Sequence, residues 1–431
     1  MATEHLDIHL PVELWSYIFL YLDTNCLRNS ALTCSSLRWL ARRYMYSRIT
    51  IVCEYSWEAF VHSFKTFQRR GLTDTLDRLR FLASPDIAPF IRTCSLQFQT
   101  WPDPPFEVAL NFLCDHLHLL VNLQQLEFQN ILLTPRRATN ISTLPSLKLL
   151  LFKECTMQAG PILSKISTRS LTISRGDDTI FNHDQPPRWL ALVEPEKLLE
   201  LRLVTSRATL EALSELMDTN IILPRLKSLY LNRDRKIIQC ASLPSVVSKC
   251  PSLSNLHLLR KPEPERSSEV AILPEDFCSS LQGISLYDGP HFLISSFQEE
   301  QLRGLRRVRL FGDRWDGTCD MIGIRDDLWH LHRGAHELVS MHLRAFHTSE
   351  TSAEDPMLAL TRQPFLESLI KMTLPAKLKN LVVFGMIFSD STEGSQDFWM
   401  TWSKTSAIES CTANRNGVSI CRQLDVPSHW F

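Results

Sequence analysis

One pattern of apolar positions returns along the chain: an apolar residue, two variable ones, an apolar residue, one variable one, and a further apolar residue. It starts at Leu123 (LQQLEF), Leu147 (LKLLLF), Leu198 (LLELRL), Leu226 (LKSLYL), Leu253 (LSNLHL), Leu281 (LQGISL), Leu305 (LRRVRL), Leu338 (LVSMHL) and Leu378 (LKNLVV). Ile91 (IRTCSL) and Thr168 (TRSLTI) start looser versions. The fourth positions are then Cys94, Leu126, Leu150, Leu171, Leu201, Leu229, Leu256, Ile284, Val308, Met341 and Leu381. Side chains alternate across a strand, so each copy predicts a short strand with template residues inward and variable residues on an open face. Helix-like runs lie between the copies, such as FEVALNFLCDHLHLL and RATLEALSELMD. Strand, helix and strand in one direction predict an α/β solenoid with a curved parallel sheet over about 91–390. Two polar, proline-bearing insertions, RGDDTIFNHDQPPRW and FHTSETSAEDPM, account for the longest spacings.

A different periodicity opens the chain. Pro11 precedes Leu14, Ile18, Phe19 and Leu22, which recur at helical spacing on one stripe. Asp23, Thr24 and Asn25 interrupt the run and offer cap chemistry to a second helix carrying Leu27, Ala31, Leu32 and Cys34. A third spans roughly Leu37 to Tyr46. Three such short helices bury too little surface to stand alone, so their apolar surplus needs a neighbour. WEAFVHSFKTF has helical spacing within a junction at 51–90, and 391–431, without the template, reads as a C-terminal cap or tail.

Leu10-Pro11-x-Glu13-Leu14, Ile18-Phe19, Leu22-Asp23, Leu27 and ALTCSSL together resemble an F-box, over about residues 8–50 of a domain at 1–50. The family's VCRxW element reads Thr33-Cys34-Ser35-Ser36-Leu37 here, so Ser35 and Leu37 stand where Arg and Trp are usual. The resemblance implies a three-helix unit whose core is completed by a Skp-family adaptor, and through it a cullin. The residues it assigns to that contact are Leu10, Pro11, Glu13, Leu14, Ile18, Leu22, Leu27, Leu32, Cys34 and Leu37. The repeated template in turn resembles degenerate leucine-rich repeats of the kind found behind fungal F-boxes, whose periods run ~20–29 residues. The Asn or Cys that usually follows the last template residue occurs cleanly once, as Cys155. An ordinary helical cap and an ordinary α/β sheet are the plainer readings of the two segments.

Composition narrows the function further. The formal net charge is −1, which argues against a protein that coats nucleic acid or an anionic membrane. No apolar run reaches the ~18 residues of a membrane span, and no signal peptide is evident. The twelve cysteines include no CxxC pair, so they read as reduced thiols in a cytoplasmic or nuclear protein. Neither GxGxxG nor GxxxxGK[ST] occurs, so no cofactor is expected.

Candidate chemistry is sparse. His330, His332, His336 and Glu337 cluster in WHLHRGAHE, where His332 and His336 have the i,i+4 spacing of metal ligands; a solvent-facing loop and helix is the plainer reading. Asp177-Asp178 and Asp326-Asp327 read as turn carboxylates, because adjacent residues do not share one face. KPEPERSSE is a polar connection. With no GxSxG elbow or HExxH helix, no catalytic or metal residue is assigned.

The open face is more informative. Alternation turns Arg307, Arg309 and Phe311 outward beside Ser340, His342 and Arg344, with Glu200, Arg202, Tyr230, Asn232, His257, Ser285 and Tyr287 on earlier strands. Arginine with aromatics is the composition of recognition hot spots, so Tyr287, Arg307, Arg309, Phe311, His342 and Arg344 are the predicted target-binding residues, centred on Arg309. The expected function is that of a non-catalytic substrate receptor of an SCF-type ubiquitin ligase, with a protein substrate whose identity the sequence leaves open. A leucine-rich-repeat scaffold without ligase function is the alternative.

Overall fold

Residues 10–46 fold into three helices, α1 (Val12–Leu20), α2 (Thr24–Thr33) and α3 (Ser35–Met45). In this computed structural model the described residues are 10–53, 64–98, 104–158, 160–161, 164–174, 188–232, 243–259, 281, 283–311, 321–348, 377–378, 380–388, 396–405, 408–415 and 418–422. Pro11 stands just before α1. The Asp23 carboxylate caps α2 by accepting from the Cys26 N–H at 2.8 Å, and this bond holds its carboxyl below the ordinary range. Cys34 caps α3 through sulfur, 3.5 Å from the Leu37 N–H, a softer acceptor than an oxygen. Phe19, Leu27, Leu40 and Ala41 form the core between the helices, with Trp15, Leu22, Ala31, Leu37, Tyr44 and Met45 packed around it.

The chain is α/β and gathers into two units, Met1–Lys197 and Leu198–Phe431. In the first, two edge-to-face ring pairs fasten α3 to later residues of the same unit. Trp39 meets Phe90 at 6.0 Å, and Tyr46 meets Phe81, on α4 (Phe64–Leu82), at 5.6 Å. Five parallel strands succeed one another: β1 (Arg48–Cys53), β2 (Thr93–Phe98), β3 (Gln125–Gln129), β5 (Leu149–Lys153) and β7 (Ser170–Ser174). The strands β4 (Leu132–Leu133) and β6 (Thr156–Met157) pair separately. Cross-strand register puts Ile49, Cys94, Leu126, Leu150 and Leu171 in one row, and Ile51, Leu96, Phe128, Phe152 and Ile173 in the next. All ten are buried, each apolar side chain contributing roughly 1.5–3 kcal/mol. Phe152 lies between Phe128 at 6.1 Å and Trp189 at 5.2 Å.

The chain leaves β3 and β5 in the same way, through Asn130 (φ 56°) and Glu154 (φ 52°), both in the left-handed region. Cys155 then sits 3.3 Å from the Phe128 carbonyl of the preceding strand, so its S–H ties two successive turns of the chain. Burial pushes this thiol, like those of Cys94, Cys114 and Cys250, up to about 12. The crossovers carry α5 (Pro104–His116) and α6 (Pro135–Ser142), clipped together by the buried Arg137, which donates to Asn111, Glu107 and the Leu132 carbonyl.

The second unit repeats the pattern with seven parallel strands: β8 (Glu200–Leu203), β9 (Ser228–Asn232), β10 (Asn255–Leu259), β11 (Leu286–Pro290), β12 (Arg307–Phe311), β13 (Ser340–Thr348) and β14 (Asn380–Phe388). Between them lie α7 (Ser206–Asp218), α8 (Leu243–Ser248), α9 (Glu299–Leu302) and α10 (Met321–Gly334). The Thr205 hydroxyl caps α7, accepting from the Ala208 N–H at 3.3 Å. Leu201, Leu229, Leu256, Tyr287, Val308, Met341 and Leu381 share one cross-strand row. β15 (Gln396–Thr405), β16 (Ile408–Arg415) and β17 (Val418–Arg422) follow as an antiparallel meander on β14.

Several expectations change here. The junction at 51–90 contains α4, but its first residues complete β1, a strand the template does not mark. Ile284 is not in a strand: it is buried as the first template residue, and Tyr287 occupies the fourth position in its place. Asp327 lies buried within α10 and not in a solvated turn, because that helix extends back to Met321. Asp177, Asp178 and KPEPERSSE lie outside the described residues, as does most of both insertions and of WEAFVHSFKTF. Among the described residues, no helix is long and apolar enough to cross a membrane.

Candidate recognition faces

The three N-terminal helices close their core and still leave a large apolar surface outside it. Leu14 is 50% exposed, Ile18 40% and Leu32 78%, and Tyr17, Leu20 and Tyr21 are exposed beside them. Pro11, Glu13 and Cys34 are exposed, whereas Leu10, Leu22 and Leu37 are half-buried. Leu27 is a correction: it is buried against Phe19, Leu40 and Ala41, and it holds the helices to one another without facing outward. Trp39 and Tyr46 reach from α3 and its C-cap to the residues that come after it. The exposed apolar side chains lie mostly on α1, with Leu32 on α2 and Trp39, itself half exposed, on α3.

The open face of the second unit carries a continuous row of polar and aromatic side chains. Register aligns Arg202, Tyr230, His257, Asp288, Arg309 and His342 across strands β8 to β13. Arg202 also pairs with Glu200, and its guanidinium lies 4.3 Å from the centroid of the Tyr230 ring. Tyr230 stacks on His257 at 3.9 Å. His257 Nδ1 is 3.5 Å from Asp288 Oδ2, and the same oxygen is 3.7 Å from Arg309 Nη1. His342 is held below the ordinary histidine range, first by burial and then by the Arg309 charge, against the opposing pull of Asp288.

Arg307 and Arg309 are exposed on the open face as alternation predicts, and His342 is half-buried beside Arg309. Phe311 and Arg344 pair in register on β12 and β13, but their side chains lie outside the described residues. Tyr287 is a correction. It is fully buried and packs edge-to-face on Phe297 at 5.4 Å. The template lies three residues further along than expected, and a slip by an odd number of residues exchanges the two faces of a strand. Leu286 and Asp288 therefore take the outward positions expected of Ser285 and Tyr287. Asn232 is also buried, its N–H bonded to the Thr209 hydroxyl at 3.3 Å.

Sequence reasoning missed Asp288. Its presence changes the face from a free guanidinium patch to a partly self-neutralised row, and sets aside Arg309 as a centre of unopposed charge. What the row can do chemically is hold hydrogen-bond donors and charges in fixed places, because its members brace one another.

Two members of the histidine cluster have partners outside it. His330 Nε2 donates to the Phe297 carbonyl at 2.7 Å, and Glu337 pairs with Lys377, which holds its carboxyl below the ordinary range. Among the described residues, no group of three His, Cys, Asp or Glu is placed to hold a metal ion.

No family model matches the chain, and no curated protein matches it. Among solved structures, the central domain of yeast acetyl-CoA carboxylase aligns at 16% identity over 26% of this chain and 17% of that one. Its TM-score is 0.17, too low to bear on fold or activity.

Proposed function

We propose that the chain is a substrate receptor of a cullin-based ubiquitin ligase: an F-box at residues 10–46 followed by irregular leucine-rich repeats. The observation that carries this reading is the exposed apolar surface of α1 and α2. A self-contained helical cap has no use for Leu14, Ile18 and Leu32 in water, whereas a helical unit completed by a second chain does. The recurrence of parallel strands with template residues in register supports the repeat reading, as does the Cys155 contact between turns of the chain. In this reading the protein performs no chemistry. It raises the effective concentration of a target near transferred ubiquitin, with the open face of β8–β13 holding the target.

A second reading rests on Ser35 and Leu37 standing where the family has Arg and Trp, and on α3 packing back through Trp39. These features fit a scaffold whose helical cap has lost the adaptor. Co-expression with a Skp-family adaptor separates the two. Stoichiometric co-elution on gel filtration is the expected result, and elution of the full chain without the adaptor contradicts the receptor reading.

A further inference from the structure

We infer that Asp288 is an internal stand-in for a target carboxylate, and that Arg307 and Arg309 take an extended acidic segment of a partner protein once Asp288 is displaced from Arg309. This rests on the open face being the target surface. The Asp288 carboxylate is mostly covered, with 19% of its side chain exposed, and Arg309 lies over it with 64% exposed. At 3.7 Å the contact is a charge contact beyond hydrogen-bond length, which a better-placed anion can replace. Asp288 offers the same oxygen to His257, so it has a second partner to retain when Arg309 turns outward.

The charges decide the class of occupant. The group already resting against Arg309 is a carboxylate, and the two neighbouring guanidiniums outnumber it. Arg307 and Arg309 are two residues apart on one face of β12, so their Cα atoms are about 6.6–6.8 Å apart along the strand. Two acidic side chains separated by one residue in an extended peptide have the same spacing. The committed occupant is therefore a protein segment with an acidic-x-acidic pattern.

The test uses the full chain, a fluorescein-labelled hexaglutamate peptide, and anisotropy at low salt. Asp288→Asn keeps the shape and removes the competing charge, and should bind about fivefold more tightly than the wild type, the effect of one unit charge near 4 Å in a water-like medium. Arg309→Gln should lose binding, and Asp288→Asn with Arg309→Gln should show no gain. Equal or weaker binding by Asp288→Asn overturns the inference and leaves Asp288 a bracing residue. A gain that persists without Arg309 also overturns it, as a general charge effect. Preference for a doubly phosphorylated serine peptide over hexaglutamate overturns the carboxylate assignment. Thermal unfolding establishes that each variant is folded. Adaptor capture by the same samples separates the two ideas, since its retention without peptide binding sinks this site alone.

Discussion

The rings of Tyr230 and His257 lie face to face on neighbouring parallel strands, 3.9 Å between centroids and 7° from coplanar. Arg202 covers the far side of the phenol, so the tyrosine is held between a cation and an imidazole. Tyr230→Leu keeps apolar bulk and removes both contacts. It should cost about 0.5–1.5 kcal/mol in urea unfolding. It should also abolish the upfield ring-current shift of the His257 ring protons, and an unmoved His257 resonance contradicts the stacking.

Leu150 and Leu151 are chemically identical neighbours on β5 with opposite fates: Leu150 is fully buried and Leu151 half-buried. Leu150→Ala should cost about 2–5 kcal/mol by cavity formation, and Leu151→Ala less than about 1 kcal/mol. Equal costs would mean that the faces of this strand are wrongly assigned.

Gly289 is fixed by Tyr287. A Cβ at position 289 would lie 2.6 Å from Tyr287 Cζ and closer still to its hydroxyl, within a side chain that is itself fully buried. Gly289→Ala should cost about 1–3 kcal/mol as overpacking. Tyr287→Leu in the same chain should relieve that cost, so the double variant is less destabilised than the sum of the singles. Additive costs contradict the contact.

These same residues explain why the fold was largely legible in sequence while the face was not. Aliphatic template residues announce their own inward positions, and all the fourth positions except Ile284 occupy the cross-strand rows. At β11 an aromatic and a glycine fill the two inward places together, so LYDGP has the look of a turn and conceals a strand. The slip placed Tyr287 outward and hid Asp288, the residue that decides the charge balance of the face. β1 was missed because RITIVC has no leading template leucine. Leu27 shows a different limit: helical spacing finds the apolar residues of α2 but does not divide them between core and surface.

His342 gives a pH prediction with a definite sign. Its folded-state pKa lies below the ordinary value near 6.5, chiefly through burial and then through Arg309. The unfolded chain therefore binds this proton first. The histidine imposes no penalty above that ordinary value, and stability falls as the pH drops from it through the depressed folded-state value. His342→Gln should flatten that fall. In histidine NMR titrations of the full chain, Arg309→Gln should raise the His342 pKa and Asp288→Asn should lower it. Shifts of opposite sign contradict the geometry of the row.

The receptor proposal stands or falls on whether the exposed apolar side chains of α1 and α2 dock on a Skp-family adaptor. Calorimetric titration of the purified adaptor into the full-length chain, and into a Leu14→Asp, Ile18→Asp double variant, decides this. Leu14 and Ile18 are exposed in the isolated chain, so the substitutions leave the internal core around Phe19 and Leu27 intact. The expected result is measurable binding by the wild type and a loss of at least about thirtyfold in the folded variant, the scale of an interface hot spot. Absence of binding in the wild type, or undiminished affinity in the folded double variant, would contradict it.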